Sequence, residues 1–480
     1  MVESHRSGGL PDAYGRHYVP MLDPALLDRL LRTALERGGD YADVYVQRIR
    51  ERSLVMEEGR LKSASESTAC GVGIRVQRGE ATGFAVCEDL DEAALQRAAR
   101  RAAAIADGGP VAPAALRALA LPERYPQRRP LADAALDERI ALVRRLAERA
   151  AADPAVAWVQ AALSDRDDTV QIATSDGVLA HDRRPLLQIR VRVQGERDGR
   201  RESVYDTTGG RCGLEHLDDA RIDGLAARVQ ARLATRLAAA EAPAGTMPVM
   251  IAPGVGGVML HEAVGHGLEA DFNRKGTSTY SGKIGSVVAS PLVRVVDRGD
   301  LPGEHGALAV DDEGVIPGCT PLIEGGVLTG YLHDRLSARL MGCAPTGNGR
   351  RQSYHHLPMP RMRCTLLEAG PHDPEEILRS VSKGLFVTWI GGGSVDIAKG
   401  DFNFNVEEAF LIEDGRLTRP VRGACLIGNG PEVMRQITML GSDARIDGGI
   451  GMCGKNGQSV PVSDGCPTTL IASMVVGGRS

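Results

Sequence analysis

The chain has 480 residues, more than one ordinary domain holds, so two or three units are expected. A formal net charge of −5 excludes the broad basic footprint of a protein that grips nucleic acid or an anionic membrane, and no window is long and apolar enough to span a bilayer. Nine scattered cysteines, an odd number, argue against a disulfide framework, and the charges, glycines and prolines of Met1 to Pro20 do not form a secretory signal, so a cytoplasmic location is expected.

In chain order, the first unit, residues 1–130, opens with a helix predicted from about Pro24 to Arg37. Asp23 can cap it, Pro24 suits its first turn, and Leu26, Leu27, Leu30, Leu31 and Ala34 form one apolar stripe. Strands follow at Ala42 to Gln47, Ser53 to Glu57, Gly71 to Gln77 and Gly83 to Val86, turning at Glu58-Gly59 and Arg78-Gly79. An alanine-rich helix then runs from about Asp91 to Ala106. Beyond a proline-rich linker, residues 131–245 repeat the plan: a helix near Leu136 to Ala152, strands near Trp158, Val170, Val178, Leu187 and Ser203, and a helix near Leu217 to Ala239. The charge runs Asp165 to Asp168 and Gly195 to Glu202 read as solvated hairpin tips.

The third unit, residues 246–480, is mostly strand, with hairpins at Glu324-Gly325-Gly326 and Asp414-Gly415 and one helix near Pro374 to Lys383 capped by Asp373. The expected fold class is therefore α+β. Two N-terminal units of curved antiparallel sheet with helices on one face precede a β-rich, barrel-like C-terminal metal domain.

That third unit carries the chemistry. His261-Glu262-Ala263-Val264-Gly265-His266 places two imidazoles and a carboxylate on one short helix. In the familiar H-E-x-x-H arrangement the histidines lie four apart, on one helical face. A spacing of five turns the second ring about 140° away on a regular α-helix, so both can face one ion only if the helix is locally widened. A π-type turn does this, and Gly265 offers backbone freedom for it. A hydrolytic zinc site needs a third protein ligand and an open position. Cys453, flanked by glycines on what reads as a loop, is the best candidate, although His305, Asp271, Glu269, Cys466 and the pair His355-His356 are also able to ligate and spacing does not choose among them.

The runs HEAVGHGLEADFNRKGTS at 261–278 and GMCGKNGQSVPV at 451–462, in that order, resemble the TldD/PmbA (TldE) metallopeptidase family, and the likeness extends over nearly the whole chain. The resemblance implies that His261, His266 and Cys453 are ligands of one Zn²⁺ and that Glu262 is the catalytic carboxylate. One lineage of that family lacks H-E-x-x-x-H. This chain keeps it, and so resembles the catalytic lineage. The same likeness implies proteolysis of leader peptides or small labile proteins, with a PmbA/TldE-like paralogue as partner in a heterodimer; a homodimer is the other arrangement expected.

The activity expected is a zinc-dependent peptidase acting on unfolded or flexible peptides, with Glu262 as general base. The alternating strand Asp401 to Val406 offers an edge for a peptide by strand addition, making Phe402, Asn403, Phe404 and Asn405 candidate substrate-binding residues, together with Lys455 in its glycine-rich segment. The competing expectation is a non-catalytic peptide-binding or scaffold protein with a structural zinc, its fourth position closed by Cys466 or Asp271. Gly391-Gly392-Gly393 completes no nucleotide-binding fingerprint, and no G-x-S-x-G elbow is present.

Overall fold

Asp23 accepts a hydrogen bond from the Ala25 N–H and Pro24 fills the first turn, which starts helix α1 (Pro24–Ala34); Leu27, Leu30, Leu31 and Ala34 are its buried stripe. Asp91 caps α2 (Glu92–Ala103) in the same way. Both helices cover one face of an antiparallel meander of β1 (Tyr41–Glu57), β2 (Arg60–Arg78) and β3 (Ala81–Cys87). The computed structural model describes residues 21–448 and 451–478, so the reading of Met1 to Pro20 falls outside the described residues. Strands β1 and β2 are far longer than their apolar runs, because residues 60–69 of β2 are exposed and mostly polar and carry no hydrophobic alternation.

The second unit contributes β4 (Arg117–Ala118), β5 (Val156–Thr174), β6 (Val178–Arg197) and β7 (Arg200–Gly210). Helices α3 (Leu136–Ala150) and α4 (Asp219–Ala238) bury Val143, Leu146, Leu225 and Val229 against Leu163, Ile189 and Val191 of its strands. Strand β1 pairs with β5 from Asp43↔Thr174 to Glu57↔Gln160, so the two units share one seven-stranded sheet in the order β3-β2-β1-β5-β6, with β4 and β7 both on the outer edge of β6. Asp165 to Asp168 is not a hairpin tip. The run lies inside β5, where Asp165 meets Arg52 and Arg139, Asp167 meets Arg183, and Asp168 meets Arg166; charge is tolerated because each carboxylate has a guanidinium. Gly195 to Glu202 does form the β6–β7 tip, with Asp198 and Gly199 at positive φ.

In the third unit, β8 (Ala240–Glu241) is a short edge and β9 (Gly245–Ile251) begins a barrel. Strand β9 pairs with Lys383–Val395 and Thr469–Gly477; Asp401–Glu413 pairs with Lys383–Val395 and with Cys425–Asn429, which returns to Thr469–Gly477. Five strands thus close on themselves, which removes their edges from further pairing. Val249, Leu385, Phe404, Leu426 and Ile471 fill this unit's core, and Leu260, Ala263, Val264 and Leu268 of the histidine helix belong to the same cluster. Gln458–Cys466 belongs to a second sheet and folds back on Gly451–Lys455 as a hairpin. The buried pairs Arg75–Glu313 and Arg351–Asp43 lock the first sheet to this unit, and Arg75–Asp43 within the sheet links them.

Candidate metal centre

The chain leaves β9 through Ala252 to Gly256 and enters α5 (Gly257–Leu260), which continues as a π turn at His261–Gly265 and a 3₁₀ turn at His266–Leu268. The His266 N–H donates to the His261 carbonyl, five residues back. That widening brings the two imidazoles to one face, with ring centroids 4.9 Å apart and planes at 88°. Gly265 is needed for a different reason from the one its sequence position suggests. Its φ of −56° is ordinary helix, but a Cβ there would collide with Met362 Sδ. Gly257 likewise lets the helix start pack on Asp464.

Cys453 arrives on a strand, not a loop: along Gly451–Lys455, Cys453 and Lys455 point inward while Met452 and Gly454 point out. Glycines hide this alternation in the sequence. Cys453 Sγ lies 3.5 Å from His266 Nε2, and the donor atoms of His261, His266 and Cys453 are all within 4.8 Å of one another. Ligand bonds of about 2.0 Å to nitrogen and 2.3 Å to sulfur, set at a tetrahedral angle, place N and S about 3.5 Å apart, so the pair suits one zinc ion. His261 Nδ1 is buried and without a hydrogen-bond partner among the described residues. The three residues fit a metal.

The surrounding charges favour donors. Burial pushes the Cys453 thiol up, yet the His261 and His266 imidazoles outweigh it and hold the group down at about 5. Burial pushes both imidazoles down, but His261 is raised by the Cys453 thiolate and His266 is raised well above its ordinary value by Glu269 and Cys453. Without a metal, imidazole protons supply the positive charge beside the thiolate. His266 Nδ1 lies 3.0 Å from Glu269 Oε2, which turns Nε2 towards the site. Glu269 is fully buried, and although burial alone raises a carboxyl, Lys455 and His266 hold it at about 2.

Several candidates take other places. Lys455 is not free for substrate: it is buried, 3.1 Å from Glu269 and 2.7 Å from Asp271, which occupies both carboxylates. Cys466 Sγ faces the Ala252 carbonyl in the core, its thiol pushed up to about 12 by burial. His305 Nδ1 sits against the Gly451 and Val462 carbonyls. His355 faces Glu88, and His356 pairs with Ser353. Phe402 and Phe404 are buried in the barrel, and Asn403 and Asn405 lie exposed on the opposite face. Their strand is paired on both sides, so the expected peptide addition there is corrected: no edge is available.

Glu262 is half-buried in the π turn beside His261. Asp464, near His261 and Glu262 and pushed up to about 7 by burial, was missed by sequence reasoning, and no local motif marks it. The sequence marks Glu269 as a possible ligand, and its spacing of three from His266 is also that of a helix-borne partner.

Fold and donor set define a member of a metallopeptidase family. Three family models match in succession: PmbA/TldA metallopeptidase domain 1 over residues 42–106, the central domain over 129–240, and the C-terminal domain over 244–478. The chain belongs to the PmbA/TldD family. It is 44% identical to a "Metalloprotease TldD homolog" of Haemophilus influenzae, covering 92% of this chain and 94% of that one, and 32% identical to a "Metalloprotease" of Methanothermobacter thermautotrophicus, covering 92% and 97%. Among solved structures, a protein described as a modulator of a DNA gyrase from Thermotoga maritima has a TM-score of 0.78 at 21% identity, covering 94% of this chain and 99% of that one. TldE from Thermococcus kodakarensis has a TM-score of 0.73 at 19% identity, covering 94% and 100%. These structures share the fold. No helix among the described residues is long and apolar enough to cross a membrane.

Proposed function

We propose that this chain is a zinc-dependent metallopeptidase of unfolded or flexible peptides, such as leader peptides and small labile proteins, with His261, His266 and Cys453 as ligands and Glu262 as general base. The carrying observation is the convergence of three buried donors on one side of a helix turn that also bears Glu262. Zinc held there would act as a Lewis acid that makes water nucleophilic near neutral pH. The Glu262 carboxylate accepts a proton from the attacking water and returns it to the leaving amine nitrogen. Glu269 holds the proton on His266 Nδ1 and so keeps Nε2 as the donor.

Against the structural-zinc alternative, Cys466 is engaged with Ala252 and Asp271 with Lys455, which supports an open fourth position. For the peptide, the edge now favoured is that of Gly391 to Val395. This stretch pairs only with Asp401–Glu413 among the described residues, and Gly391 and Gly392 share a cleft with Val255 and Val258, at the start of the histidine helix. The setting proposed is cytoplasmic, with a PmbA/TldE-like paralogue as partner, in keeping with membership of the PmbA/TldD family; a homodimer is the other arrangement. Metal analysis combined with cleavage of an unfolded peptide library tests the reading. Stoichiometric zinc and chelator-sensitive cleavage are expected, and cleavage that persists in a metal-free, chelator-treated protein rejects it.

A further inference from the structure

Behind the Cys453 hairpin, on the face opposite the metal donors, lies a cavity of about 360 Å³ between the first sheet and Met452, Ser459 and Pro461. Its charges do not balance. Each lining carboxylate already has an arginine: Asp165 pairs with Arg52, Asp168 and Glu51 with Arg166, and Asp312 with Arg184. Arg351 pairs with Asp43 outside the lining, and two lining arginines are left over. Arg211, 4% exposed, donates to the His305 and Pro185 carbonyls, and Arg350, 2% exposed, donates to the Met362 and Pro461 carbonyls; neither forms an ion pair with a carboxylate among the described residues.

A buried guanidinium without a counter-charge costs several kcal/mol in general, and two facing one cavity are unfavourable unless an anion joins them. Burial, and the neighbouring guanidinium, hold Arg350 down at about 9, the direction expected where positive charge is crowded and unmatched. The remaining walls, with Gln188 and Gln352 amides beside Leu186, Leu308 and Val460, suit a ligand with an amide backbone and an organic body better than a bare inorganic ion.

We propose that this cavity is a second ligand site, taking the terminal carboxylate of a short peptide against Arg211 and Arg350. The choice of a peptide rests on the peptidase reading, since hydrolysis releases a new carboxylate with every cut. The planar guanidinium fork matches a carboxylate in two hydrogen bonds. The site would bind product, behind the strand that presents Cys453.

Calorimetric titration of the zinc-loaded full chain carrying Glu262→Gln tests this, using acetyl-trialanine with a free carboxylate, the same peptide as its amide, and inorganic phosphate. The acid should bind about tenfold or more tighter than the amide. Arg350→Gln or Arg211→Gln should abolish that preference while zinc content is unchanged. Equal binding of acid and amide, a preference that survives both substitutions, or arginine-dependent binding of phosphate alone would overturn the proposal. Because zinc can itself take a carboxylate, the acid-to-amide comparison is repeated on chelator-treated chain: a preference that disappears with the zinc overturns the proposal, and this control stands even where a cavity substitution prevents folding. Peptide hydrolysis by the unsubstituted chain is scored separately: its absence rejects the peptidase reading and leaves the carboxylate site, whereas hydrolysis without a carboxylate preference rejects only the site.

Discussion

At the scale of single residues, the centre works through compensation. A thiolate is stable in a buried place because two imidazoles face it, and one of those imidazoles is held by a carboxylate that is itself held by Lys455. Two sulfurs lie close in sequence, but only Cys453 shares this field. Cys453→Ala should therefore lose zinc, whereas Cys466→Ala should keep it, as metal analysis of the two purified variants would reveal. A metal content that follows Cys466 would reassign the ligand. The protonation pattern also sets a pH dependence. His261 and His266 are raised, so zinc must displace their protons across and below neutrality, while Cys453, held at about 5, stays a thiolate through most of that range. Zinc affinity should fall as pH falls, by up to about two decades per pH unit once both histidines are protonated. Competition with a chelator from pH 8 to pH 5 measures this; an affinity that is flat over that window contradicts the assignment.

At the scale of elements, the π turn is what makes a five-residue histidine spacing usable, and its neighbours hold it tightly. Gly265→Ala should destabilise the fold by about 1–3 kcal/mol, as overpacking does, and displace His266. Adding Met362→Ala should recover part of both the stability and the metal content, which a double-mutant cycle followed by thermal melting and zinc analysis would score. Independent effects would mean the contact is not limiting. The widened turn is legible in the sequence because helical geometry leaves no other way to face both rings to one ion. The partner strand is not. Glycines at 451 and 454 erase the apolar alternation that marks a strand, so Cys453 reads as a loop residue. Asp165 to Asp168 misleads in the opposite sense: three aspartates that look solvated are buried, Asp168 against Arg166 of the same run but Asp165 and Asp167 against arginines elsewhere in the chain, and the local pattern holds no trace of Arg52 or Arg139. Phe402 to Asn405 is legible as a strand, but its two neighbours come from Lys383–Val395 and Cys425–Asn429, and pairing on both sides is a property of the closed barrel.

At the scale of the whole molecule, His261 and Cys453, 192 residues apart in one unit, are brought together by the last hairpin folding onto the first helix of that unit. The class of the fold is visible from the periodicity of helices and strands, while the joining of the first two units into one sheet through β1 and β5 is not, since no local signal says which strand edges meet. A peptidase that accepts many unfolded sequences would threaten nascent chains in its own compartment, so seclusion of the site in an assembly is a reasonable expectation. Co-expression with a PmbA/TldE-like paralogue should give a stable 1:1 complex that cleaves unfolded peptides, with this chain alone weakly active or inactive. Size-exclusion chromatography with light scattering, run beside a peptide assay, decides it: a monodisperse, fully active isolated chain, unaffected by the paralogue, removes the heterodimer and leaves the metal assignment. The most direct test of the centre itself is Glu262→Gln, which keeps the shape and every ligand but removes the base. Zinc content and peptide-cleavage rate should be measured side by side in the parent and the variant. Equal zinc and a rate lower by about 10²–10⁴-fold are expected; equal zinc with an equal rate removes Glu262 from the mechanism.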